Sequence, residues 1–117
     1  MAQHNLLGEK GENLASEYLI KKGYVIQERN WRNGKAEVDI IAKHNNEIVF
    51  IEVKTRASNA YGEPEEFVSE KKQELLRNAA DNYVNEKAVF EEVRFDVISI
   101  ILNNNESYIN HIETAFY

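Results

Sequence analysis

Glu37-Val38-Asp39-Ile40-Ile41-Ala42-Lys43-His44-Asn45-Asn46-Glu47-Ile48-Val49-Phe50-Ile51-Glu52-Val53-Lys54-Thr55-Arg56 reads as a β-hairpin that specifies its own register. Asparagine tolerates positive φ, so Asn45-Asn46 suits a two-residue turn. His44 then faces Glu47, Ala42 faces Val49, Ile40 faces Ile51 and Val38 faces Val53, which makes one side of the hairpin apolar. On the other side Ile41 faces Phe50, Asp39 faces Glu52 and Glu37 faces Lys54. A slip of one residue would set charged side chains against apolar ones.

Ahead of the hairpin, Asn5 is placed to cap a helix over residues 6–22. Its stripe is Leu7, Gly11, Leu14, Ala15, Tyr18 and Leu19, a helical period, and Gly23 ends it. Tyr24 to Trp31 reads as a strand and Asn33-Gly34 as a turn. Lys35 to Lys43 and Glu47 to Arg56 are the strands of the hairpin, and Ala57 to Pro64 is a loop. Pro64 and Ser69 each offer a start for a second helix that runs to Glu86, with Leu75, Leu76, Ala79, Ala80, Tyr83 and Val84 as its stripe. Val93 to Leu102 is a β-branched strand, Asn103-Asn104-Asn105 a turn and Ser107 to Ile112 a last strand. The order αβββαββ predicts an α/β fold in which a mixed β-sheet is flanked by helices.

The 117 residues fit one domain, 1–117, with a single core. Hydrophobic residues at 43% and charged residues at 29% are ordinary for a globular chain. No apolar run approaches the roughly 20 residues of a membrane span, so no membrane association is expected. The first residues lack a basic patch followed by an apolar stretch, so no signal peptide is expected. Without cysteine there is no disulfide, thiolate metal site or cysteine nucleophile, which suits a cytoplasmic location. A formal net charge of −6 argues against coating of nucleic acid by electrostatics alone. It leaves room for an acidic site filled by cations and flanked by local basic surface.

The charged half of the hairpin is where chemistry is expected. Across the strands Asp39 and Glu52 would hold their Cβ atoms roughly 4.5–5.5 Å apart, and like charges so placed are destabilising. Such a pair calls for a proton or a cation between its members. Mg²⁺ takes one or two carboxylates together with water and phosphate oxygens. Lys54, two residues beyond Glu52 on the same face, is placed to act on that phosphate or on the attacking water. The alternative is an amphipathic hairpin whose charges are merely solvated. Glu12 lies seven residues before Leu19, on nearly the same helix face, and Gly8 and Gly11 beside it leave room for another backbone or a ligand.

With these residues in place, the chain resembles the YraN-like family of small bacterial endonucleases and, more distantly, archaeal Holliday-junction resolvases. Both belong to the PD-(D/E)xK nuclease group, with a restriction-endonuclease-like fold. The resemblance runs through Leu7-Gly8-Glu9-Lys10-Gly11-Glu12-Asn13-Leu14-Ala15, Gly23-Tyr24, Arg29-Asn30-Trp31-Arg32 and Glu37-Val38-Asp39-Ile40-Ile41-Ala42. Its most specific segment is Val49-Phe50-Ile51-Glu52-Val53-Lys54-Thr55-Arg56, followed by Lys72, Arg94-Phe95-Asp96-Val97 and His111-Ile112-Glu113. It implies that Asp39 and Glu52 are metal ligands, that Lys54 is the catalytic lysine and that Glu12 supports metal or water. Glu37 would position Lys54. Ala36 and Glu9 depart from the family pattern, which often has glycine and a basic residue there.

The expected activity is Mg²⁺- or Mn²⁺-dependent hydrolysis of nucleic-acid phosphodiesters, DNA ahead of RNA and with branched DNA included. The Val53 carbonyl is a further candidate ligand. Arg56, Lys71, Lys72 and Arg77 are candidate phosphate contacts. Two other readings stand beside it: a nuclease fold that binds nucleic acid without cutting, and a subunit active only with a partner. A homodimer is compatible with the sequence. Trp31 reads as core and Tyr61 as a more open stacking candidate. His4, His44 and His111 lack metal-ligand spacing and read as surface or turn residues.

Overall fold

The first helix, α1 (Leu6–Lys21), stops where Gly23 turns left-handed at φ +94°. The Gly23 N–H donates to the Ile20 carbonyl at 3.0 Å and the Tyr24 N–H to the Leu19 carbonyl at 2.9 Å. This is a Schellman closure, which satisfies carbonyls that the helix end would otherwise orphan. Glycine is needed there because it alone enters that region without strain. A computed structural model describes residues 6–57 and 68–117. The Asn5 cap, the Pro64 helix start, Tyr61, His4 and most of the loop expected at 57–64 lie outside the described residues.

Five strands follow the predicted order: β1 (Val25–Asn33), β2 (Ala36–His44), β3 (Glu47–Ala57), then after α2 (Glu70–Lys87) β4 (Glu92–Asn103) and β5 (Glu106–Phe116). They form one mixed sheet in the order β1-β2-β3-β4-β5. All neighbours are antiparallel except β3 and β4, which are parallel and joined through α2. Ser69 caps α2, its hydroxyl accepting from the Lys72 N–H at 3.3 Å. The first hairpin turns at Gly34-Lys35, one residue later than expected, because Asn33 still pairs with Ala36. The last strand runs to Phe116, past the expected Ile112. A bulge at Thr114 (φ +51°) lets it resume pairing at Phe95–Phe116.

Each helix covers one face of the sheet. Ala15 and Leu19 of α1 are buried on Ile40, Ala42, Val49, Ile51, Ile98 and Ile100. Leu76, Ala79, Ala80 and Tyr83 of α2 are buried on Val38, Ile41, Ile48, Phe50, Phe95 and Val97. Trp31 joins this second layer, its ring edge-on to Tyr83 at 5.1 Å, as expected of a core residue. Among the described residues no helix is long and apolar enough to cross a membrane.

The sheet also contains a buried ionic network. Asp96, 1% exposed, accepts two hydrogen bonds from Arg94, one from His111 Nε2 at 2.7 Å and one from the Thr114 N–H at 3.0 Å. Arg94 also binds Glu47 at 2.6 Å and the Tyr24 hydroxyl at 2.6 Å, while Tyr18 bonds His111 Nδ1 at 3.0 Å. His111 is therefore a buried network member, and His44 stacks on Tyr24 with ring centroids 4.0 Å apart. Single-sequence spacing rules do not reveal such partners, because they lie on three different strands and a helix.

Candidate active site

The hairpin register expected from the sequence forms from His44–Glu47 to Ile40–Ile51 and then stops. At Asp39 the two strands fork. The Val53 N–H donates to Asp39 Oδ2 at 2.8 Å, so a side chain stands where the ladder would continue. On its other flank the β1–β2 ladder pairs Arg29 with Ile40 and Trp31 with Val38 but skips Asn30, which is left-handed at φ +54°. The alternation of faces breaks at the same place. Ile40 and Ala42 belong to the layer under α1, whereas Val38 belongs to the layer under α2. The expected apolar side running from Val38 to Ala42 is therefore divided between the two cores. The pairing of Glu37 with Lys54 does not form, because the strands have parted there.

The fork is where acidic groups gather. Asp39 lies close enough to Glu52 and Glu12 for both to raise its pKa, and with burial as the largest cause it is pushed up to about 7. Its hydrogen bond from Val53 works in the opposite direction. Glu12 approaches from α1, half-buried, with Asn30 and Asp39 near enough to act on its pKa. Burial also raises the pKa of Glu12, although Asn30 and the nearby Arg29, at 3.8 Å, work against the rise. Close approach of the helix is possible because position 11 is glycine. A Cβ there would lie 1.9 Å from Thr55 Oγ1 on β3. Gly8, by contrast, faces open space.

Glu52 is only 8% exposed, and its Oε2 receives the Lys72 ammonium at 2.7 Å. Lys72 stands in the first turn of α2, which directs it at the fork rather than along a solvated helix face. Burial disfavours its charge. The hydrogen bond and field of Glu52, with Asp39 and Glu37 beyond, more than offset that, and its pKa ends above the ordinary lysine value. Lys72, Lys71, Lys35, Glu37 and Asp39 line a cavity of about 370 Å³ beside the fork. Lys54 and Arg56 are half-buried on β3 beyond Glu52. Glu37 pairs with Arg32 of β1 at 3.7 Å, on the edge away from β3. Arg77 donates to the Tyr117 carbonyl at 2.8 Å and does not line the cavity with Lys71 and Lys72.

The donor set is all carboxylate oxygen, which suits a hard divalent cation. Among the described residues no three acidic or imidazole groups converge into a ready-made metal cage. Glu12 reaches Asp39 itself rather than a point shared with Glu52. The residues that could hold such a cation are Asp39 and Glu52, with water completing its shell.

The profile of the uncharacterised protein family UPF0102 matches residues 11–100 of the chain. The chain belongs to this family. A UPF0102 protein of Christiangramia forsetii is 50% identical over 117 residues, covering 100% of this chain and 98% of its own length. One of Phocaeicola vulgatus is 45% identical over 117 residues, covering 100% and 97%. Another, of Syntrophomonas wolfei, is 46% identical over 111 residues, covering 94% and 96%. The stretch of this UPF0102 chain matched by the family profile begins at Gly11 and contains the whole fork.

The sequence reading names Glu12, Asp39, Glu52 and Lys72 as site residues, but not the bond of Lys72 to Glu52 or the partnership of Asn30 with Glu12. Lys72 was assigned to phosphate contact, although Ser69 three residues earlier, as a helix cap, already placed it in the first turn of α2. Asn30 was read as an ordinary strand residue. Asparagine's tolerance of left-handed backbone was the available signal.

Proposed function

We propose that this chain is a metal-dependent nuclease of the PD-(D/E)xK type, related to the YraN-like endonucleases, that hydrolyses phosphodiester bonds in nucleic acid, DNA ahead of RNA. The observation that carries this reading is the fork itself. A β-ladder is interrupted so that Asp39 meets Glu52 and Glu12 in a half-buried place, where Asp39 is pushed up to about 7. Crowding three carboxylates in a half-buried place costs stability even with Lys72 on Glu52 and Arg29 near Glu12, and carboxylates perturbed in this way are characteristic of functional sites.

In this reading Asp39 and Glu52 hold Mg²⁺ or Mn²⁺. Such an ion, when bound, polarises a phosphate and lowers the pKa of water. The Val53 N–H fixes one oxygen of Asp39. Glu12 holds Asp39 in place and can take a proton from water. Lys54, next but one to Glu52, orients the attacking water or stabilises the charge that develops on the phosphate. Lys71 and Lys35 at the cavity mouth contact flanking phosphates.

The Lys72–Glu52 bond favours a second reading, in which the acidic pair is neutralised internally and the fold only binds nucleic acid. One experiment separates the two: a panel of single-stranded, duplex, flap and four-way DNA and matching RNA, incubated with and without Mn²⁺. Mn²⁺-dependent cutting of at least one member supports the nuclease. Binding without cutting supports the module.

A further inference from the structure

Among the carboxylates of the fork, Glu52 is the most buried, and the group bonded to it is a lysine from another element. The Lys72 ammonium lies 2.7 Å from Glu52 Oε2, in the negative field of Asp39 and Glu37 as well. It is thus a cation already seated where the proposed divalent ion would bind. The two partners differ in freedom. The Glu52 side chain is 9% exposed and held on the central part of β3, whereas that of Lys72 is 45% exposed on a four-carbon stem at the start of α2. The stem can swing without any change of backbone, and the cavity lined by Lys35, Ser69 and Lys71 gives the ammonium somewhere to go.

We propose that Lys72 is a built-in counter-ion that occupies Glu52 until a divalent cation displaces it, after which its ammonium faces the cavity that would receive a substrate phosphate. The proposal rests on the nuclease reading above and deepens it by assigning Lys72 a positioning role. The physical ground is plain. An ammonium and a divalent ion bound to one carboxylate would lie within a few ångströms of each other, and like charges at that range repel, so that each weakens the hold of the other. The ammonium is the weaker ligand for Glu52 and the more mobile. While it stays it spares Glu52 the instability of a buried, unpaired carboxylate. When it leaves it brings positive charge to the side from which nucleic acid must approach. Lys72 and Lys54 would then have separate tasks, one exchanging with the cation and the other acting on the reacting groups.

The test is calorimetric titration of Mn²⁺ into the chelator-treated full chain, for wild type, Lys72→Met and Lys72→Arg, with thermal midpoints measured in chelator beside it. Lys72→Met is expected to bind Mn²⁺ about tenfold or more tightly than wild type, on the scale of removing one close like charge. Its midpoint in chelator should be lower, and the rise on adding Mn²⁺ larger. Lys72→Arg, which keeps the charge, should bind with wild-type affinity. Equal or weaker Mn²⁺ binding by Lys72→Met would overturn the proposal while leaving the nuclease reading in place. Absence of Mn²⁺ binding in all three would overturn both. Should Lys72→Met fail to fold, Mg²⁺ titration of the wild-type chain followed at the Lys72 ammonium by NMR decides the matter. Movement of that signal to the position of a solvated lysine at saturation supports displacement, and a signal that stays put overturns it.

Discussion

The Val53 N–H and the Asp39 carboxylate, 2.8 Å apart, mark the place where a hairpin stops being a hairpin. Up to Ile40–Ile51 the strands pair through their main chains. One step further, a side chain takes the donor and the strands part. Everything assigned to the site follows from this exchange of a main-chain partner for a carboxylate.

The first consequence concerns pH. In the unfolded chain Asp39 should titrate at about 3.9, whereas in the folded chain it is pushed up to about 7 by burial and by Glu52. Between these values the folded state holds a proton that the unfolded state lacks. The resulting stabilisation is full below the unfolded value and is lost as pH rises through about 7. In chelator, the thermal midpoint of wild type should therefore fall between pH 5 and pH 8, and Asp39→Asn should remove much of that fall. Parallel curves for the two proteins would show that Asp39 is not the group responsible.

A divalent ion should reverse the same penalty. Because it binds the native state alone, adding Mg²⁺ or Mn²⁺ at pH 8 should raise the midpoint above its value in chelator, in proportion to occupancy. Scanning fluorimetry across a metal series measures this. A midpoint that does not respond, with no heat of binding in calorimetry, would remove the metal from the account.

Much of this was legible in the sequence, for identifiable reasons. The face alternation of Ile40 to Lys43 against Ile48 to Ile51 leaves one sensible register, and the structure adopts it. Gly23, Ser69 and the asparagine turns mark element ends through their backbone preferences. The fork was not legible, because extending a regular ladder is the default assumption and nothing in Val38-Asp39 alone says that pairing ends there. Lys54 and Glu37 were set opposite each other for that reason. The network around Asp96 was hidden too, since Arg94, His111, Tyr24 and Glu47 meet only through the sheet order.

That network should matter for stability rather than for chemistry. Burial raises the pKa of Asp96, but the bonds from His111, Arg94 and Thr114 outweigh it and hold the carboxyl below its ordinary value. Its contribution is present above the usual carboxylate range and is lost as pH falls through it. Asp96→Ala leaves Arg94 buried without its main partner and should destabilise by about 3–5 kcal/mol. Denaturant unfolding measures it, and a loss under about 1 kcal/mol, the net worth of an ordinary hydrogen bond, would show the network to be dispensable.

Helix α1 carries Glu12 to Asp39 only because Gly11 lets it lie against Thr55. Gly11→Ala places a Cβ 1.9 Å from Thr55 Oγ1 and 2.9 Å from Thr55 Cβ, so the helix must shift outward. The expected loss is about 1–3 kcal/mol, with weaker metal-dependent cutting as Glu12 is drawn away. Thr55→Ala in the same chain should recover part of the stability. Full tolerance of Gly11→Ala would mean that the helix is not held at that distance.

Lys54→Met retains the aliphatic stem and removes the charge. With metal and substrate binding unchanged, the rate of cutting should fall by about 100-fold or more, the scale of one lost electrostatic stabiliser. A rate within a few fold of wild type would end the catalytic role of Lys54 and leave Asp39 and Glu52 untouched.

If the forked carboxylates serve a metal-dependent cut, cutting must depend on both Asp39 and the metal. Single-turnover cleavage of the substrate selected by the panel is measured at saturating Mn²⁺ for wild type and for Asp39→Asn, after both are shown to be folded by their thermal midpoints. The expected result is an intact fold and a rate at least about 100-fold lower for Asp39→Asn, with no cutting by either protein in chelator. Comparable rates, or cutting that persists in chelator, would contradict it.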